Sequence, residues 1–178
     1  VRRAHLEHLL RAAATISGDR DVLVIGSQSV LAALAEHTLP EEATASIEAD
    51  IAFFDDPDVI KADQVDGAIG ELSPFHERYG YYAQGVSVST AILPTGWRDR
   101  LVPLDSPATD PGRGLCLEPH DCVIAKLLAG REKDLRFAAA LVRAQLIDPA
   151  VLSERLETVQ AHPLALDRTR TWIRSMTP

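Results

Sequence analysis

The stretch "VLVIGSQSV", Val22–Val30, decides how the rest of the chain is read. Val22, Leu23, Val24 and Ile25 form an unbroken, largely β-branched apolar run. Such a run suits a strand buried on both faces rather than one with a wet side. It ends on Gly26-Ser27, with a second hydroxyl at Ser29 and then an Ala/Leu-rich segment to His37. The spacing predicts strand, tight turn and helix, with the strand over 21–25 and the helix over 29–37. Backbone N–H groups and a hydroxyl at the mouth of a helix are a favourable place for a phosphate. The same residues serve equally as an ordinary turn and N-cap.

The next apolar segment gives that turn a context. "TASIEADIAFF", Thr44–Phe54, alternates at Ile47, Ala49, Ile51 and Phe53 and predicts a second strand over 45–54. Glu48 and Asp50 then share the opposite face, about 7 Å apart. Two carboxylates so placed can hold a hard cation such as Mg²⁺, which takes one or two carboxylates and completes its shell with water and phosphate. An acidic strand face that is merely solvated gives the same pattern.

Working outward, Leu6, Leu9, Leu10 and Ala13 recur at helical spacing and predict a helix over 2–16. Asp55-Asp56-Pro57-Asp58 stops the second strand and starts a helix near 58–71. "SPFHERYGYYAQGV" (73–86) reads as a loop with a short strand. "VSVSTAILP" (86–94) alternates and predicts a third strand, with "RDRLVPLD" (98–105) pairing beside it. Trp97 reads as the anchor of a turn with a basic rim. "SPATDPGRG" (106–114) has the composition of a boundary. "LCLE" (115–118) is a short strand, and helices follow over 119–129, 131–146, 149–159 and 163–176. The class expected is α/β (α+β by some conventions): a small mixed β-sheet flanked by helices. Residues 1–110 form the core and 111–178 a helical C-terminal region packed on it as one unit.

Composition narrows the function classes. At 46% hydrophobic, 178 residues can bury one sizeable core. A net charge of −8 repels nucleic acid unless a local basic patch is built. Cys116 and Cys122 make neither a disulfide framework nor a zinc spacing, and no apolar run reaches the roughly 20 residues of a membrane span. A cytoplasmic protein with no membrane partner is expected.

The order strand–Gly-Ser–helix, then strand–carboxylate-x-carboxylate, resembles minimal nucleotidyltransferases of the DNA polymerase beta superfamily. Within it the chain is similar to the AbiEii/MenT-like toxin group and its uncharacterised relatives. "AKLLAGREKDLRFAAALV" (125–142) resembles that group's downstream helix pair, and together the matches span most of residues 20–143. The resemblance implies that Gly26, Ser27 and Ser29 cradle a triphosphate and that Glu48 and Asp50 hold Mg²⁺. It implies that Lys126, with Arg131 and Lys133, neutralises phosphate charge, and that Asp134 orients a basic residue or touches the base or sugar. The activity implied is transfer of a nucleotide from an NTP to a hydroxyl on RNA (tRNA especially) or protein, as in a toxin–antitoxin pair.

The chain departs from the pattern in three places. Glu48 stands where aspartate is usual, and Thr44 where a basic residue is usual. The segment 86–94, expected to carry a third carboxylate, offers only Ser87, Ser89 and Thr90. Two rival functions therefore stand beside the enzyme: a catalytically silent nucleotide-binding or interaction protein on the same scaffold, and a small-molecule nucleotidyltransferase of the antibiotic-modifying kind.

Overall fold

The computed structural model describes residues 1–177. Helix α1 (Arg3–Ser17) buries Leu6, Leu9, Leu10 and Ala13 along one stripe. Strand β1 (Asp21–Val24) follows, then two 3-10 turns (Ser27–Ala32 and Glu36–Thr38) and the short helix α2 (Glu41–Thr44). Strand β2 (Glu48–Ala52) leads through α3 (Ile60–Ile69) and α4 (Pro74–Tyr79) to β3 (Tyr82–Gly85). Strands β4 (Val102–Leu104) and β5 (Arg113–Cys116) precede helices α5 (Pro119–Ala129), α6 (Glu132–Arg143), α7 (Pro149–Leu156) and α8 (Pro163–Met176).

The five strands form one mixed sheet in the order β3-β2-β1-β5-β4. Strand β1 runs parallel to β5 and antiparallel to β2, and β2 runs parallel to β3. As the continuous apolar run requires, β1 is buried on both sides. Val22 and Val24 face the cluster built on α1 and α3, while Leu23 and Ile25 face the cluster built on the C-terminal helices. The α/β class and the mixed sheet flanked by helices match the expectation.

Several elements differ from the sequence reading, each for a local reason. No α-helix spans 29–37. Gln28, Ser29, Val30 and Leu31 are all buried, and a segment with no wet face packs here as a tight 3-10 turn. The expected strand over 86–94 is a 3-10 turn at Val88–Thr90. Ser87 Oγ accepts from Ser89 N at 3.2 Å, and Thr90 Oγ1 donates to the Ser87 carbonyl at 2.7 Å. Such local hydroxyl bonds compete with a sheet ladder and here replace it. The short strand expected within 73–86 is β3, with helix α4 before it where a loop was expected, and β4 pairs with β5 rather than with the 86–94 segment. The boundary expected at 110 falls inside the sheet, because β5 lies between β1 and β4.

A buried ion cluster ties the C-terminal helices to the sheet half. Asp121 on α5 is fully buried and takes a forked contact from Arg100, at 2.9 and 3.1 Å, and a second ion pair from Arg155 on α7. Removing the carboxylate leaves two guanidinium groups facing each other without a counter-charge, the costly way to break such a cluster. Asp121→Ala is expected to lower the unfolding free energy by about 3 kcal/mol, read from the midpoint of a urea transition with an unchanged slope.

Candidate active site

Strand β1 hands the chain to Gly26 at the point where β2 passes. Ile25 N donates to the Asp50 carbonyl at 3.2 Å and fixes the two segments against each other. The Asp50 carboxylate occupies the space a side chain at position 26 would need, so an added Cβ would overlap Asp50 Oδ2. Gly26 has φ −90°, which any residue adopts. Glycine is required here for room rather than for backbone freedom.

Glu48 and Asp50 share a face of β2, as their spacing predicts, and that face is the one roofed by α5 and α6. Parallel pairing with β3 sets Tyr82 beside Glu48 and Gln84 beside Asp50. Tyr82 donates its phenol to Glu48 Oε2 at 3.0 Å, and Lys133 Nζ lies 3.5 Å from Glu48 Oε1. Burial, reinforced by the Glu48 carboxylate, pushes the Tyr82 phenol up to about 12. Asp50 is less well served. Burial raises its carboxyl above the ordinary range, the attraction of Lys126 opposes the rise, and the neighbouring Glu48 charge adds to it.

The cations come from the α5–α6 hairpin. Gly130 caps α5 in the left-handed conformation (φ +68°), and one residue later α6 begins. This brings Lys126, in the last turn of α5, to 3.7 Å from Asp134 in the first turn of α6. Arg131 Nε is 2.7 Å from the other Asp134 oxygen. Asp134 is buried, so it steers both cations from beneath. Lys126 then stands in the wall between two clefts. One, of about 410 Å³, is lined by Asp50, Gln84, Thr90, Lys126 and Arg131. The other, of about 280 Å³, is lined by Ser27, Glu48, Lys126, Lys133 and Asp134.

Seven of the nine residues named from sequence thus line these two clefts, and Gly26 contributes only clearance. Ser29 does not. It is fully buried, and its hydroxyl lines neither cleft. The helix-mouth picture of Gly26-Ser27 also changes. A six-residue 3-10 turn lacks the aligned peptide dipoles of a long helix, so positive charge at the site is carried by Lys126, Arg131 and Lys133. The aromatic run Tyr79, Tyr81 and Tyr82 reads from sequence as packing or base-stacking rings; the places of Tyr82 and Gln84 beside the acids do not read from it. Their alternation in "YAQ" around the small Ala83 was the available signal, but only the pairing register shows which strand they face.

The donor set suits one Mg²⁺. Glu48, Asp50 and the Ser27 hydroxyl offer hard oxygens, and Asp50 is a half-buried acid whose desolvation a bound cation would relieve. Mg²⁺ needs no more than one or two carboxylates when phosphate completes its shell. No cluster of three or more His, Cys, Asp or Glu that could hold a metal occurs among the described residues, so the protein alone does not build a full cage.

A family model described as a nucleotidyltransferase of unknown function (DUF6036) matches residues 4–171. The chain belongs to this family. As a member of the nucleotidyltransferase family it is expected to take a nucleoside triphosphate. No curated protein and no solved structure matches it. Among the described residues, no helix is long and apolar enough to cross a membrane.

Two substitutions separate clearance from charge. With its folded-state value raised, Asp50 binds its proton more tightly in the native state. Its contribution to stability therefore falls as pH rises from the unfolded carboxylate value of about 3.9 through the raised one. Asp50→Asn is expected to melt above wild type at pH 7 without ligand, with the gap closing toward pH 4. Gly26→Ala is expected to remain folded but lose the melting-temperature gain that Mg²⁺ with NTP gives wild type, because Asp50 must move aside. Calorimetric scans across pH and ligand check both.

Proposed function

We propose that this protein transfers a nucleotide from an NTP to an acceptor hydroxyl on RNA, tRNA especially, or on protein, with Mg²⁺ held by Glu48 and Asp50. The observation that carries the proposal is the Asp50 carboxylate seated in the space left by Gly26, with Lys126 standing between the two clefts. The toxin role rests on the sequence resemblance to the AbiEii/MenT-like group, and an antitoxin partner belongs to the same reading.

The residues divide the work by charge. Ser27, Lys126 and Lys133 receive the β- and γ-phosphates in the smaller cleft. Arg131 and Lys126 face the α-phosphate beside Asp50, and Asp134 holds both in place. Held by Glu48 and Asp50, Mg²⁺ would supply charge compensation to the phosphates beside β2. The acceptor oxygen bonds to the α-phosphorus as the bridging bond to the β-phosphate breaks, and pyrophosphate leaves with that electron pair. The acceptor proton passes to water in the open cleft, since β3 sets the neutral Gln84 beside Asp50 and supplies no third carboxylate. Catalysis of this kind rests on positioning and charge compensation.

Gln84 also favours a second reading, a nucleotide-binding protein that transfers nothing. Tyr82 and Lys133 already engage both oxygens of Glu48, and a neutral amide stands beside Asp50. Incubation with Mg²⁺, α-labelled NTP and total RNA or cell protein separates the two. Transferred label that disappears in Glu48→Ala/Asp50→Ala supports the enzyme. NTP binding without transfer supports the silent binder.

For either, saturating Mg·NTP at about a hundred times its Kd is expected to raise the melting temperature by roughly 5–10 °C. The double variant is expected to show no gain. A wild-type protein that gains nothing with any NTP would falsify both readings.

A further inference from the structure

A third concavity adjoins the site and is not used by the triphosphate. A groove of about 600 Å³ lies past the C-terminal ends of β2 and β3, lined by Phe54, Asp55, Ser87, Trp97 and Arg98. It shares Val86 and Ala91 with the cleft that holds Asp50, Lys126 and Arg131, so the two are continuous. Phe54 is 38% exposed, unusual for a ring of its size, and stacks on Trp97 with centroids 6.0 Å apart and planes 20° from parallel. Arg98 stands over both rings, its guanidinium carbon 5.1 Å from the Phe54 centroid and 5.4 Å from that of Trp97. Two near-parallel rings edged by a planar cation form a shelf for another flat π-system, and Asp55 at its margin can accept from an exocyclic amino group.

We propose that this Phe54–Trp97–Arg98 shelf binds an unpaired nucleobase of an RNA acceptor, next to the hydroxyl that attacks. The proposal rests on the transfer reading above, in which pyrophosphate leaves through the Ser27–Lys133 cleft. Attacking and leaving oxygens lie roughly in line across the phosphorus. The acceptor must then enter from the side opposite Ser27 and Lys133, and the opening on the far side of Asp50 leads to the shelf. Stacking on aromatic and guanidinium faces is how proteins take single-stranded bases, and base-paired RNA cannot present a free face to it. This local platform also reconciles an RNA acceptor with a net charge of −8: affinity comes from stacking and Arg98 rather than from a basic surface.

Trp97 supplies the test. The chain has two tryptophans, so in a Trp172→Phe protein the emission is that of Trp97. A mixed-sequence single-stranded hexaribonucleotide is expected to quench it, whereas its duplex, the four NTPs with Mg²⁺ and inorganic tripolyphosphate are not. Phe54→Ala and, as a second and milder variant, Arg98→Ala are each expected to weaken the RNA response about tenfold while keeping the Mg·NTP melting gain. Unchanged emission with the single strand overturns the proposal, as does RNA binding that both variants leave intact. Quenching by NTP but not by RNA also overturns it and assigns the shelf to the donor base. Label transferred to protein alone, with no RNA quench, counts against it and for a protein acceptor. If wild type gains no stability from Mg·NTP, the transfer reading fails by itself, and the RNA titration still judges the shelf.

Discussion

The site depends on one steric fact: a carboxylate rests where residue 26 has no side chain. Strand β1 is buried on both faces and cannot shift. The bond from Ile25 N to the Asp50 carbonyl sets the height of β2 against it. With those two segments fixed, the Asp50 side chain has a single place to go. Glu48 lies two residues away on the same face, and the partners of both acids follow from the β2–β3 register. The geometry of the acids is therefore a property of the sheet, not of a loop.

The cations are fixed differently. Lys126 and Arg131 sit on either side of the Gly130 turn, where the chain is short but not paired into the sheet. Asp134 gives them a common buried anchor, and Arg168 of α8 donates to the Leu128 carbonyl at 2.8 Å, closing the end of α5. Farther along, Asp121 ties α5 to Arg100 and to α7. The C-terminal helices thus act as a brace that holds positive charge opposite the acids. This is why residues 111–178 share both the strand β5 and polar contacts with the rest of the chain.

Much of this was legible in the sequence where the physics is local. The uninterrupted apolar run of β1, the period-two placement of Glu48 and Asp50, and the 3.6-period stripe of α1 each reflect an environment that neighbouring residues report. Legibility failed where a partner distant in sequence decides. Val86 and Val88 alternate like a strand, but the hydroxyls of Ser87 and Thr90 close bonds within the segment and no neighbouring strand outcompetes them. Ser29 looked like a second phosphate hydroxyl. Burial between sheet and α5, invisible to a local motif, removes it from the cleft. Tyr82 and Gln84 matter only through what they stand beside, and pairing register is a non-local quantity.

That register has a consequence for how this site can change. Side chains of β3 reach Glu48 and Asp50 only on alternate positions, and β3 enters the sheet from α4 and the turn at Gly80. The α4–β3 connection therefore works as a length gauge. Insertion or loss of a single residue there would turn Tyr82 and Gln84 into the core and swing Tyr81 and Ala83 toward the acids. Length changes compatible with the site come in pairs of residues or are absorbed before Gly80. The acids can accordingly acquire a new neighbour by substitution at position 82 or 84, but not by drift in loop length.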